Sequence, residues 1–188
     1  MELKNIIEVL LFSSSSPLPA KKIVDIIGKE TTFELNAIID EINLEYKNLG
    51  KGLSIKNIAG GYQILSDKKY HVFIEKLFKN SKNNYLSRPA LEALSVVAYR
   101  QPVTRAAIEM IRGVECGSVI NTLITRGLIK IRGRSKDPGR PLLFVTTAFF
   151  LEFFGLNDIN DLPRLKEMSE ILGDNNTLTL FKEKNASK

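Results

Sequence analysis

The 188-residue chain has no tryptophan, a single cysteine (Cys116) and a single histidine (His71). One cysteine excludes an intrachain disulfide, and one of each excludes a Cys/His zinc site, which needs about four ligands. A Cys–His nucleophilic pair would have to use both lone residues, and a thiol near a predicted helix start is expected to be a small packing residue instead. Long hydrophobic runs are missing too. The longest apolar stretches, such as "VLLF" and "LSVVAY", fall far short of the roughly 18 residues of a membrane span. The opening "MELKNIIEVLLF" carries an acid at its second position and no small-residue cleavage site, so it does not read as a secretory signal and a cytoplasmic location is expected. Neither GxxxxGK followed by Ser or Thr nor GxGxxG occurs, because "GKET" at Gly28 to Thr31 lacks the upstream glycine. No catalytic, metal or cofactor-binding residue is assigned, and the chain is not expected to be an enzyme.

What is present is a repeated grammar. "LKNIIEVLLF" is apolar at helical spacing, "SSSSPLP" interrupts it, and "AKKIVDIIG" forms a second helix that Gly28 can end. A third helix suits "FELNAIIDEINLEYKNLG", where Leu35, Ile38, Ile39, Ile42 and Tyr46 share one face. "GLSIKNIAGGYQILSD" reads as a hairpin turning at Gly60 and Gly61, and "KKYHVFIEKLF" is helical again. The order then restarts: "SRPALEALSVVAYRQ" with Ser87 as cap, "RAAIEMIR" capped by Thr104 and closed by Gly113, then "SVINTLITRG", two strands around a basic loop, and "AFFLEFFG". Laying Pro17 on Pro102 also lays Ile23 on Ile108, Ile26 on Ile111 and Gly28 on Gly113, an offset of 85 residues. The expected fold is mainly α with small β hairpins: two tandem winged-helix domains, residues 1–80 and 86–165, joined through 79–86 and followed by a flexible tail over 166–188.

Charge is distributed unevenly. Residues 1–83 hold twelve Lys, no Arg and ten acids, whereas residues 84–156 hold eight Arg, two Lys and five acids. A net charge of +6 favours nucleic acid in general. The third helix of the first domain, however, carries Glu34, Asp40, Glu41 and Glu45, which phosphates would repel. Its counterpart offers Ser118, Asn121, Thr122, Thr125 and a single cation, Arg126. The loop in "IRGRSKDPGRPLLFVTT" could supply a few phosphate contacts, making any DNA contact weak or indirect. Planar guanidinium groups suit fixed ion pairs and partner carboxylates, and "AFFLEFFGL" is apolar nearly all round, so its surplus aromatics mark an interface. A tandem winged-helix DNA-binding transcriptional regulator remains the alternative function.

The motifs "LSRPALEALSVVAYRQPVTRAAIEMIRGV" and "LITRGLIKIRGRSKDPGRPLLFVTTAFFLEFFGLNDINDLPRL" resemble the bacterial segregation and condensation protein B family, densely over residues 86–165 and more loosely before. The resemblance implies a non-enzymatic subunit of the SMC–kleisin complex that condenses and segregates chromosomes, and hence a nucleoid-associated protein. It implies a homodimer formed chiefly by the N-terminal domain, for which Ile38, Ile42 and Tyr46 are the candidates. It also implies binding of the kleisin, segregation and condensation protein A, and through it the SMC ATPase. The candidates for that contact are Arg100, Arg105, Arg112, Arg134, Arg140, Phe149 and Phe153.

Overall fold

A computed structural model describes residues 3–28, 32–78 and 86–164. The expected linker at 79–86, except for its last residue, and the expected tail at 166–188 lie outside the described residues. The chain divides into two compact units. Among the described residues, 3–28 and 32–78 with Leu151–Asp158 form the first, and 86–150 with 159–164 form the second. The sequence reading assigned 151–158 to the second domain. The structure joins it to the first, where the Ala59 N–H donates to the Leu156 carbonyl at 2.8 Å and the Gly60 N–H to Asn157 Oδ1 at 3.0 Å.

In the first unit α1 (Leu3–Ser13) buries Ile7 and Leu11, one turn apart on one face. A two-residue strand β1 (Leu18–Pro19) leads into α2 (Ala20–Ile27). Gly28 ends α2 in the left-handed conformation at φ 73°, its N–H bonding the Val24 carbonyl at 2.9 Å, which a residue with a Cβ would do only under strain. Helix α3 (Thr32–Asn48) places Leu35, Ile39, Ile42 and Tyr46 on its inner face. These positions recur every three to four residues, so they meet α1 and α2 together. Strands β2 (Leu53–Ile58) and β3 (Gly61–Ser66) form an antiparallel hairpin, and β1 adds to β3 in the order β1-β3-β2. The short helix α4 (His71–Phe78) follows a 3-10 turn whose Asp67 carboxylate accepts from the Lys69 N–H.

The turn lies one residue earlier than the sequence suggested. Ala59 and Gly60 both have positive φ, 51° and 76°, as a two-residue turn that follows the sheet twist requires. Gly61 instead begins β3 and pairs with Pro19. A Cβ there would sit 2.8 Å from the Leu18 carbonyl carbon, so its glycine admits β1 to the sheet.

The second unit repeats this plan. It contains α5 (Arg88–Arg100), β4 (Val103–Thr104), α6 (Arg105–Arg112), α7 (Gly117–Thr125), β5 (Ile129–Arg134) and β6 (Leu142–Thr146), with sheet order β4-β6-β5. Helix α8 (Ala148–Phe154) begins in this unit. α2 and α6 begin and end 85 residues apart, as do β1 and β4. The equivalent Ile23 and Ile108 are both fully buried. The Ser87 and Thr104 hydroxyls cap α5 and α6 by accepting from the Ala90 and Ala107 N–H groups. α5 buries six side chains, Ala90 to Ala98, and is the axis against which α6 and α7 pack. Each unit is therefore a winged helix: three helices, a short strand and a hairpin.

Candidate partner-binding surfaces

The predicted arginines separate into three environments. Arg112, at the end of α6, leaves only 3 % of its side chain exposed and donates from Nη2 to Glu92 Oε2 at 3.3 Å. Its Nε and Nη1 are buried without a hydrogen-bond partner. Glu92 also takes Arg88 Nε at 3.3 Å. Arg112 is an interior residue of its own unit and is withdrawn as a partner contact, because a guanidinium closed to solvent has no surface to offer.

Arg105 begins α6 and donates from Nε to Glu109 Oε1 at 2.7 Å. The same oxygen accepts the Cys116 N–H at 3.0 Å. Glu109 thereby ties α6 to the start of α7, and the Cys116 N–H and Arg105 hold its carboxyl below the usual range. The Arg105 guanidinium lies over Gly117, where a Cβ would meet it at 3.0 Å, and half of the side chain stays exposed. Cys116 is buried, and desolvation pushes its thiol up, opposite to what a thiolate nucleophile needs. Arg100 is exposed at the end of α5.

Arg134 and Arg140 stand on the β5–β6 hairpin. Arg134 Nη1 donates to the Arg140 carbonyl at 3.1 Å, the Ser135 N–H to the Pro141 carbonyl at 2.8 Å, and the Arg140 N–H to the Asp137 carbonyl at 2.9 Å. The loop is thus a structured hairpin held largely by its own backbone, with both side chains exposed.

The aromatics of α8 behave differently from one another. Phe150 is core at 2 % exposure, while Phe149 and Phe153 keep 45 % and 43 % of their surface. Phe149 packs beside Gly127, beyond the end of α7, whereas Arg105 sits at that helix's start. A nine-residue helix is about 13 Å long. Arg105 and Phe149 therefore do not form one cluster, although the sequence placed them in one list of candidates.

The dimer candidates need correction. Ile42 and Tyr46 are 2 % and 3 % exposed and belong to the core of the first unit, with Ile38 partly buried against it. The Tyr46 hydroxyl donates to Glu8 Oε1 at 2.6 Å, and burial together with that carboxylate pushes its pKa up. Side chains that complete the core of one copy cannot also cover a second. The exposed apolar surface lies elsewhere. α4 buries nothing and exposes Val72, Phe73, Leu77 and Phe78 at 56 to 76 %. A groove of about 550 Å³, lined by Val9, Phe12, Leu53 and Ile64 with the Glu8–Tyr46 pair on its wall, opens beside α1. α4 was legible as a helix, but nothing in its sequence showed that its apolar side chains stay uncovered.

The sequence model of the family described as "Segregation and condensation complex subunit ScpB" matches residues 5–165. The chain is 39 % identical over 178 residues to segregation and condensation protein B of Syntrophotalea carbinolica, covering 95 % of this chain and 89 % of that one. It is 42 % identical over 166 residues to the protein of that name from Clostridium tetani, covering 88 % and 87 %. A crystal structure of a conserved hypothetical protein from Chlorobium tepidum is 39 % identical with a TM-score of 0.41, covering 82 % of this chain and 96 % of that one. A match that spans both winged-helix units, at this identity and over nearly the whole of each relative, makes this chain a member of the segregation and condensation protein B family.

Proposed function

We propose that the protein is a non-enzymatic, homodimeric subunit of a bacterial SMC–kleisin complex. It binds the kleisin, segregation and condensation protein A, and through it meets the SMC ATPase that supplies the ATP chemistry. The observation that carries this reading is the family match across residues 5–165, which covers both units rather than one generic winged helix. Unit roles follow from what each leaves uncovered. The first unit exposes the apolar residues of α4 and takes the dimer contact. The second exposes Arg100, Arg105 and Phe149, and these take the kleisin. Such a protein works in the cytoplasm, on the nucleoid. Among the described residues no helix is long and apolar enough to cross a membrane.

The test is reconstitution. Mixed with its cognate kleisin at micromolar concentration, the full chain is expected to co-elute as one complex in size-exclusion chromatography, with two copies of this chain by light scattering. Separate elution of the two proteins contradicts the reading.

A further inference from the structure

The two units form an internal comparison, because they share helix positions and sheet order and differ in charge. The first unit's hairpin, β2–β3, carries one cation, Lys56. The second unit's hairpin carries Lys130, Arg132, Arg134, Lys136 and Arg140 against one acid, Asp137, and all five cations are exposed. The architecture therefore does not require them. Nor do they serve the unit as ion pairs. Arg88, Arg105 and Arg112 of the helices each meet a carboxylate, but among the described residues no cation of the hairpin does, and the one side-chain bond is Arg134 to the Arg140 carbonyl. Arg132 is the extra residue of a β-bulge between Ile131 and Gly133, a device that turns a side chain outward from the ladder. Five like charges on one short hairpin repel one another, so their joint presence calls for an anion from outside.

Two anionic partners could answer, an acidic polypeptide or a nucleic-acid backbone. A polypeptide interface is organised around buried apolar anchors with charge at its rim, and the hairpin exposes only one large apolar side chain, Ile131. Phosphate contacts need charge and reach alone. The neighbouring α7 presents Ser118, Asn121, Thr122 and Thr125, uncharged and short, with the Thr122 hydroxyl bonded back to the Ser118 carbonyl. That helix is poorly equipped to read base edges. We propose that the β5–β6 hairpin is a sequence-independent contact to duplex DNA, with its five cations against the phosphates. The contact is separate from kleisin binding, and its failure would leave the proposed function standing.

Fluorescence anisotropy of the full-length protein with two unrelated labelled duplexes, across a salt series, tests this. Equal affinities are expected for both sequences. Five phosphate contacts give a slope of log K against log salt near about −4.5, a loss of about 500-fold between roughly 50 and 200 mM salt. Replacing Arg132→Ala and Lys136→Ala together should reduce the slope to about −2.7 and that loss to about 40-fold, with the circular-dichroism melt and kleisin co-elution unchanged. Lys56→Ala should change nothing. No binding at low salt, or a slope indifferent to the double substitution, overturns the proposal. So does a double variant that keeps DNA binding but no longer co-elutes with the kleisin, which would assign the hairpin to an acidic polypeptide.

Discussion

Glu92 illustrates how one carboxylate can decide the fate of two arginines. It is about a quarter exposed and holds both Arg88 and the almost closed Arg112. Breaking a buried pair from one side is costly when the charge left behind is closed to solvent. Glu92, partly exposed and still paired with Arg88, is not stranded by the loss of Arg112, whereas Arg112 is stranded by the loss of Glu92. Arg112 already has two nitrogens without partners, so Arg112→Met is expected to change stability little. Glu92→Ala should cost about 3 kcal/mol, the stranded guanidinium being the larger penalty. Urea unfolding of the two variants decides the matter, and a larger loss for Arg112→Met would contradict the argument. Glu109 makes a second residue-scale prediction. Its carboxyl is held below the ordinary value of 4.5 by the Cys116 N–H and by Arg105. A depressed folded pKa means that the carboxylate's contribution is fully present above the unfolded value and is lost as the pH falls through the folded one. The melting temperature should therefore drop on acidification below about pH 4.5, and Glu109→Gln should flatten that limb. An unchanged acid limb in the variant would show that other carboxylates govern it. Arg88–Glu92 and Arg105–Glu109 follow from i,i+4 spacing on one helix, whereas Arg112–Glu92 and the Cys116 N–H bond to Glu109 depend on which elements meet.

At the scale of elements, periodicity was informative wherever a helix had one apolar face. α1, α2 and α3 follow their apolar spacing, and the caps at Ser87 and Thr104 and the left-handed stops at Gly28 and Gly113 stand where residue chemistry placed them. The two-residue strands β1 and β4 were not legible. They carry no alternation of their own and exist only because β3 and β6 offer a free edge. α4 is the opposite case, a helix visible in the sequence whose environment was not. Because α4 buries nothing within its unit, Leu77→Glu should leave the thermal melt almost unchanged yet convert the dimer to a monomer by light scattering. A dimer that survives the substitution places the contact on another surface, such as the groove beside α1. The same reasoning explains why Ile42 and Tyr46 fail as dimer residues. An apolar stripe identifies a buried face, and burial within one copy was the stronger claim on it.

For the whole molecule, the duplication is the central fact. One plan of helices and a three-stranded sheet occurs twice, and the copies have diverged in chemistry rather than in topology. The lysine-only first unit leaves apolar helix surface uncovered, while the arginine-rich second unit pairs three arginines with its own carboxylates and leaves a hairpin whose five cations, among the described residues, make no ion pair. The proposed contacts divide in the same way, with the second copy on the first unit and the kleisin and DNA on the second. The sequence by itself determined the number of units, the order and type of their long elements and the family. These follow from local periodicity, capping chemistry and motifs, all carried by residues close together in the chain. Only the tertiary structure decided which apolar stripe was core, that Arg112 was closed to solvent, and which unit received residues 151–158. Those outcomes depend on contacts between residues far apart in sequence, where the burial of one side chain is settled by whatever packs over it.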